Sequence, residues 1–145
     1  MRVLLQRVLS ASVTVENETV GKIDKGYLAL VGIGAEDTEE TVKKMVEKIY
    51  KLRIFADENG KTNLAAKDIG AELLAVSQFT LYADCTHGNR PSFGLSAPPS
   101  KASALYDYFC DYAASLFEKV ERGIFGADMQ VSLINDGPFT VSLEM

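Results

Sequence analysis

Leu73-Leu74-Ala75-Val76-Ser77-Gln78-Phe79-Thr80-Leu81-Tyr82-Ala83-Asp84 is the stretch on which the reading of this chain turns. Its first four residues are an apolar run of the length and composition of a buried strand. At Ser77 the character changes, and hydroxyls, an amide and aromatics alternate. Asn89-Arg90-Pro91-Ser92-Phe93 follows closely and marks a loop. A strand that ends in packed polar side chains offers a rigid support for a site.

Working outward toward the N-terminus, Tyr27-Leu28-Ala29-Leu30-Val31-Gly32-Ile33 is nearly all apolar and reads as a central strand. Val3 to Val8, Ala11 to Glu16 and Val20 to Ile23 read as three further strands, with turns at Asn17-Glu18 and Lys25-Gly26. Tight connections of this kind imply hairpins. Asp37 with Glu40 three residues on fits a capping box. Val42, Met45, Val46 and Ile49 then recur at the spacing of an amphipathic helix. The Lys-rich face of that helix reads as solvated. Leu52 to Phe55 reads as a short strand, and Ala65 to Gly70 as a weakly marked connection.

Toward the C-terminus, Ser100 is the expected N-cap of a second helix. Ala102, Leu105, Phe109, Ala113 and Leu116 form its apolar stripe, ending near Lys119. Gly123 to Gly126, Met129 to Ile134 and Phe139 to Glu144 read as strands. Runs of strands interrupted by two long helices imply an α/β chain of the α+β-like kind. Its sheets should be mixed and mostly antiparallel, forming a barrel-like core in one domain over 1–145.

Composition narrows the functional classes. The 145 residues are 47% hydrophobic, 24% charged and carry a net charge of −5. Residues 97–145 hold three Lys/Arg against seven Asp/Glu. Such a chain does not grip nucleic acid along its length by charge alone. If RNA is a substrate, contact should be local, near an end, and drawn from residues such as Arg7, Lys22, Lys25, Lys51, Arg53, Lys61 and Arg90. No signal peptide or membrane span is expected, and two cysteines, Cys85 and Cys110, fit a reducing, cytoplasmic setting. Gly32-Ile33-Gly34 does not complete a dinucleotide fingerprint. No metal or cofactor is expected.

The chemistry-bearing residues leave alternatives open. His87, the single histidine, reads as a surface side chain. Thr80 is the best-placed hydroxyl, yet a nucleophile needs a base and none is evident, so a positioning role is preferred. Gln78 offers an amide and Phe79 a backbone N–H, either able to stabilise an oxyanion. On spacing alone, ordinary strand-end packing accounts for Ser77 to Thr80. Asn135-Asp136-Gly137-Pro138 reads either as a β-turn or as a rigid element presenting carbonyls to a ligand, and sequence physics favours the turn.

These blocks, with Met1 to Val8, Leu52 to Phe55, Gly88 to Phe93 and Gly123 to Met129, resemble the D-aminoacyl-tRNA deacylase family, also called D-tyrosyl-tRNA deacylases. The resemblance runs nearly end to end. His87 stands where members often carry Lys or Arg, and Gly94-Leu95-Ser96 departs from the usual small-residue run. The resemblance implies a cytoplasmic homodimer that hydrolyses the ester between a D-amino acid and tRNA and clears glycine mischarged on alanine tRNA. It implies that Gln78, Phe79 and Thr80 serve catalysis, and that Ser77 and Met129 line the substrate site. Gly137-Pro138, with a cis peptide bond, would enter the site of the partner subunit and reject L-amino acids. The rivals are a binding module for small amino-acid ligands and a generic esterase using Thr80 or Ser77.

Overall fold

The computed structural model describes residues 1–145. A long first strand, β1 (Arg2–Val15), organises the sheet. One edge of β1 pairs with β3 (Gly26–Gly32) along its first half and β2 (Glu18–Ile23) along its second, both antiparallel. Its other edge pairs antiparallel with β8 (Gln130–Glu144) along nearly its whole length. Beyond β3 lie β6 (Glu72–Ser77) and β7 (Val120–Arg122), both parallel to their neighbours. The sheet is mixed, as the pattern of strands implied, and it curls into a nearly closed, barrel-like wall. A two-stranded ribbon, β4 (Phe55–Ala56) with β5 (Thr62–Leu64), stands apart.

The period-2 alternation of β3 and β6 separates two cores. Tyr27, Ala29, Val31, Leu73 and Ala75 face a cluster of 25 buried residues beneath α1 (Glu39–Lys51) and α3 (Pro99–Ala114). Leu28, Leu74 and Val76 belong to a second cluster of seven buried residues inside the curl, where Val131 and Leu133 of β8 close over them. Burial on both faces explains why these strands are apolar throughout. Gly26 permits the close approach of β3 and β6, since a Cβ there would lie 1.9 Å from the Glu72 carbonyl oxygen. No helix is long and apolar enough to cross a membrane.

The helix α1 buries Val42, Met45, Val46 and Ile49 as its spacing predicts. Its cap differs. Thr38 is the N-cap, its Oγ1 accepting the Thr41 N–H at 3.3 Å. Asp37 is buried, where its carboxylate accepts the Gly34 N–H (2.6 Å) and the Met1 ammonium (2.6 Å). Those charge-assisted bonds outcompete a helix cap. In α3, Pro98 is the N-cap and Ser100 lies within the first turn, because Pro99 at N1 has a preset φ and no N–H to satisfy. That helix ends at Ala114, short of Lys119. Ser115 Oγ donates to the Tyr112 carbonyl (2.6 Å), and Leu116 and Phe117 N–H both turn back to Ala113. A short helix, α2 (Ala66–Ile69), fills the weakly marked connection.

Three strand expectations are corrected. Val3–Val8 and Ala11–Glu16 form one strand. Only Phe55 of Leu52–Phe55 enters β4, because Leu52 caps α1 and the Ile54 carbonyl is held by Arg7. Residues 123–126 are not a strand: they run into a turn closed by the Ala127 N–H on the Ile124 carbonyl (3.2 Å), with Gly126 at φ +75, and the strand is Val120–Arg122 just before them.

The largest correction concerns Asn135-Asp136-Gly137-Pro138, which is not a turn between two strands. β8 runs on through it, and both halves pair with β1 in one direction. Gln6 pairs with Thr140 and Val8 with Asn135, so Asp136 to Phe139 all stand opposite Arg7. The excess backbone bows outward as a bulge. Its Gly137–Pro138 peptide bond is cis.

Candidate functional site

β6 delivers Val76 and Ser77 to the edge of the sheet. Gln78 then leaves the strand, although its N–H still donates to the Val31 carbonyl at 2.7 Å. Phe79–Tyr82 follow as one 3₁₀ turn. The N–H groups of Phe79 and Thr80 open that turn, so neither has a partner within it. This rigid corner forms the floor of a cleft of about 640 Å³.

One wall comes from the approach to α3 and its first turns, with Phe93, Ala97, Pro99 and Ala102. The opposite wall is the turn from Phe125 to Met129, backed by Val131. Two long-range ties hold these walls. The Tyr106 hydroxyl, on α3, donates to the Ala75 carbonyl at 2.9 Å, with the Gly123 carbonyl at 3.4 Å. Gly123 N–H donates to that same Ala75 carbonyl. Burial pushes the Tyr106 phenol far above its ordinary range, so it remains a donor at any physiological pH.

At the mouth, Phe79 is 55% exposed and meets Phe93 edge-on, with ring centroids 4.9 Å apart. Phe93 is fixed from behind by the ribbon pairing of Asp84 with Ser92, through N–H···O bonds of 2.8 and 3.0 Å. Asp84 also accepts the Thr86 hydroxyl and N–H, which hold its carboxyl below the usual range.

Of the predicted residues, Ser77, Gln78, Phe79 and Met129 all line the cleft. Thr80 lies just outside the lining, its Oγ1 accepting from Gln78 Nε2 at 2.5 Å. An amide N–H cannot remove a proton, so that contact orients Thr80 without activating it. His87 does not line the cleft. The single ionisable side chain in the lining is Asp128. Sequence reading missed it as an individual, together with Phe125, Ala97 and Ala102, because their only signal was membership of a long family block or a helix stripe. No group of three His, Cys, Asp or Glu side chains is gathered to hold a metal.

Gly137 and Pro138 are exposed and do not line the cleft of their own chain. Their bulge is nevertheless held firmly. Asn135 Oδ1 accepts the Phe139 N–H (2.6 Å) and its Nδ2 donates to Thr140 Oγ1 (2.9 Å). Arg7 donates through Nε to the Asp136 carbonyl (2.9 Å) and through Nη1 to the Ile54 carbonyl (2.6 Å). Its guanidinium also covers the Phe139 ring at 4.8 Å. The chain thus presents a concave corner and, elsewhere, a convex braced tip.

Comparison with known proteins places this geometry. A family model described as D-Tyr-tRNA(Tyr) deacylase matches residues 4–144. A D-aminoacyl-tRNA deacylase of Thermosipho africanus is 56% identical over 144 residues, covering 99% of this chain and 97% of the relative. One from Lactobacillus gasseri is 54% identical, each chain fully covered. Among solved structures, one titled c-Myc DNA Unwinding Element Binding Protein superposes with a TM-score of 0.93 at 42% identity, covering 100% of this chain and 99% of that one. A probable eukaryotic D-amino acid tRNA deacylase, 18% identical, superposes with a TM-score of 0.86 over 99% of this chain and 98% of that one, and shares the fold.

Proposed function

The chain belongs to the D-Tyr-tRNA(Tyr) deacylase family, and from that premise we propose that it hydrolyses the ester of D-aminoacyl-tRNA, releasing a D-amino acid and free tRNA. The observation that carries this reading is the cleft, floored by Ser77, Gln78 and Phe79 and lying within the family match. The reading places the protein in the cytoplasm, where charged tRNA is made and used.

An aminoacyl ester is already reactive, so holding it beside a water and an oxyanion donor supplies much of the rate. Phe79 is the natural donor, because Gln78 has already committed its N–H to Val31. Gln78 and Thr80 orient the ester from the side. Water adds to the carbonyl carbon, the bond to the 3′-oxygen breaks, and the proton passes to that oxygen by way of the neighbouring 2′-hydroxyl. The absence of an activated hydroxyl or histidine in the lining is in keeping with this route.

Selection for the D form needs a wall that reads the α-carbon rather than the varied side chains. In this proposal the wall is Gly137-Pro138 from a second copy of the chain, their carbonyls holding the substrate ammonium. A D side chain then points outward, an L side chain strikes the main chain, and glycine passes. The clash discriminates by rejecting the wrong enantiomer. Support comes from the exposure of Gly137-Pro138 and their absence from the lining of their own chain's cleft, which suits a contribution across a symmetric dimer.

The test is release of free amino acid from D-aminoacyl-, L-aminoacyl- and glycyl-tRNA measured side by side. Turnover of the D and glycyl esters with the L ester intact is the expected result. Equal rates for D and L would overturn the steric account, and no release from any of them would overturn the enzymatic one.

A further inference from the structure

The protein is acidic overall, yet one region of its surface is not. A shallow groove lies between the end of α1 and the β5–α2 connection, lined by Lys51, Arg53, Lys67, Asn63 and Asp68 among others. A second shallow groove adjoins it, sharing Lys51 and Arg53 and adding Lys44 and Lys48. Together their side chains bring five cations against only two carboxylates, Glu47 and Asp68. Lys44 and Lys51 are tied to Glu40 and Glu47 along α1. Lys48, Arg53 and Lys67 have no carboxylate within 4.0 Å.

Arg53 is the informative member. Its Nε donates to the Asn63 carbonyl at 2.7 Å and its Nη2 to the Asn63 side chain. Both acceptors are neutral. The guanidinium is therefore held in place while its charge stays uncompensated, which suits a phosphate better than it suits folding. Asp68 is partly occupied, accepting the Ala65 N–H at 2.8 Å.

The groove lies at the wrong end of the molecule to serve the cleft of its own chain. β3 and β6 run parallel from Gly26 and Glu72 to Val31 and Ser77, and the cleft stands at the Ser77 end. The end of α1 stands at the other, where the Tyr27 hydroxyl donates to the Leu52 carbonyl. Arg53 instead neighbours the convex tip, because Arg7 bridges Ile54 to Asp136 through a single guanidinium.

We infer that the Lys51–Arg53–Lys67 groove docks backbone phosphates of the tRNA acceptor arm, and that it does so for the cleft of the other subunit, the one into which its own Gly137-Pro138 reaches. The inference rests on the deacylase reading above. Tip and groove then form one unit: the first meets the aminoacyl end, the second the phosphates leading to it. An acidic protein can hold a large polyanion when the contact is confined to such a patch.

The test reverses the patch with Lys51→Glu, Arg53→Glu and Lys67→Glu together. The variant should keep the wild-type thermal midpoint, raise KM for D-aminoacyl-tRNA at least tenfold, and change kcat less than twofold. The dependence of log KM on log salt should flatten by about two units, roughly 0.7–0.9 for each phosphate that is no longer neutralised. A folded variant with unchanged KM and salt slope overturns the groove. Should the wild type release no amino acid, the deacylase reading fails separately, and filter binding of uncharged tRNA still decides the groove by loss or retention in the variant. A purified mixed dimer settles the subunit. One chain is wild type, and the other carries the reversal together with Gly137→Val. Its surviving site, in the cleft of the altered chain, should work at normal KM. A raised KM, or failure of chains to pair at all, overturns the cross-subunit arrangement.

Discussion

The corner at Ser77–Thr80 and the bulge at Asp136–Phe139 are both places where a strand departs from its path, but they are supported in opposite ways. The corner is concave and backed by Val76 and the apolar interior of the curl. The bulge is convex and exposed, and is held by the side chains of Arg7 and Asn135. A hollow needs packing behind it, whereas a projection needs cross-bracing. The difference teaches that the proposed site draws on two regions of the chain, only one of which lines the cleft.

The sharpest way to break that comparison is at the tip. Gly137 has φ +140, and a Cβ there would stand 3.0 Å from the Phe139 nitrogen and 3.3 Å from Arg7 Nη2. Gly137→Val should cut D-aminoacyl-tRNA hydrolysis by about 100-fold or more, since strain of about 1–3 kcal/mol would reshape the backbone of the wall. Binding of a non-hydrolysable D-aminoacyl-adenosine analogue by titration should fall with it, while the sheet's circular dichroism stays unchanged. Full activity would show the bulge to be ornamental.

Loosening the brace is the next largest change. Arg7→Met removes the donors to Asp136 and Ile54 and should lower kcat/KM by roughly 10- to 100-fold. It leaves two half-buried carbonyls in need of partners, at a cost of about 1–3 kcal/mol in urea unfolding. If activity falls with no loss of stability, or stability with no loss of activity, tip and brace are not coupled as described.

In the concave half the expected effects are smaller. Thr80→Ala should retain activity within about tenfold, because on the proposed route Thr80 orients rather than attacks, and a hydroxyl without a base contributes little as nucleophile. Asp128→Asn should cost less than Thr80→Ala and leave the pH profile of kcat unchanged. A loss of about 1000-fold in either variant, with the fold intact, would move the chemistry to that side chain.

The smallest effect at neutral pH is on stability. Burial pushes the Cys110 thiol from its ordinary 9 up to about 11, and the Tyr82 phenol from 10 to about 12. Burial also moves Tyr27 and Tyr106 upward. Each group holds its proton more tightly when folded, so the unfolded chain binds fewer protons above about pH 9 and unfolding becomes easier. Stability should be flat from pH 7 to about pH 9 and fall steadily through pH 9–12 in denaturant titrations. Cys110→Ser with an unchanged alkaline limb would remove the thiol from that account.

What could be read from the sequence follows the range of the forces involved. The stripe Val42, Met45, Val46 and Ile49 is local and strong, and the helix forms where it predicts. The apolar runs at Leu73 and Tyr27 likewise became the central parallel pair. Asn135-Asp136-Gly137-Pro138 misled because a turn and a bulge use the same residues. What decides between them is pairing with β1, more than a hundred residues away in the chain. Asp37 reads as a cap because its partner, the Met1 ammonium, also lies outside the local window, 36 residues away. In the cleft, Ser77, Gln78 and Phe79 were accessible as a contiguous block. Asp128, Phe125 and Ala102 were not, since each reaches the lining through the placement of a separate element.

One helix contributes to both lips of the cleft. The first turns of α3 lie along one side through Pro99 and Ala102, while its Tyr106 hydroxyl reaches beneath the other at Ala75 and Gly123. A single stiff rod therefore sets the gauge of the slot. Its width is fixed before any substrate arrives, as the jaws of a calliper are fixed by their beam.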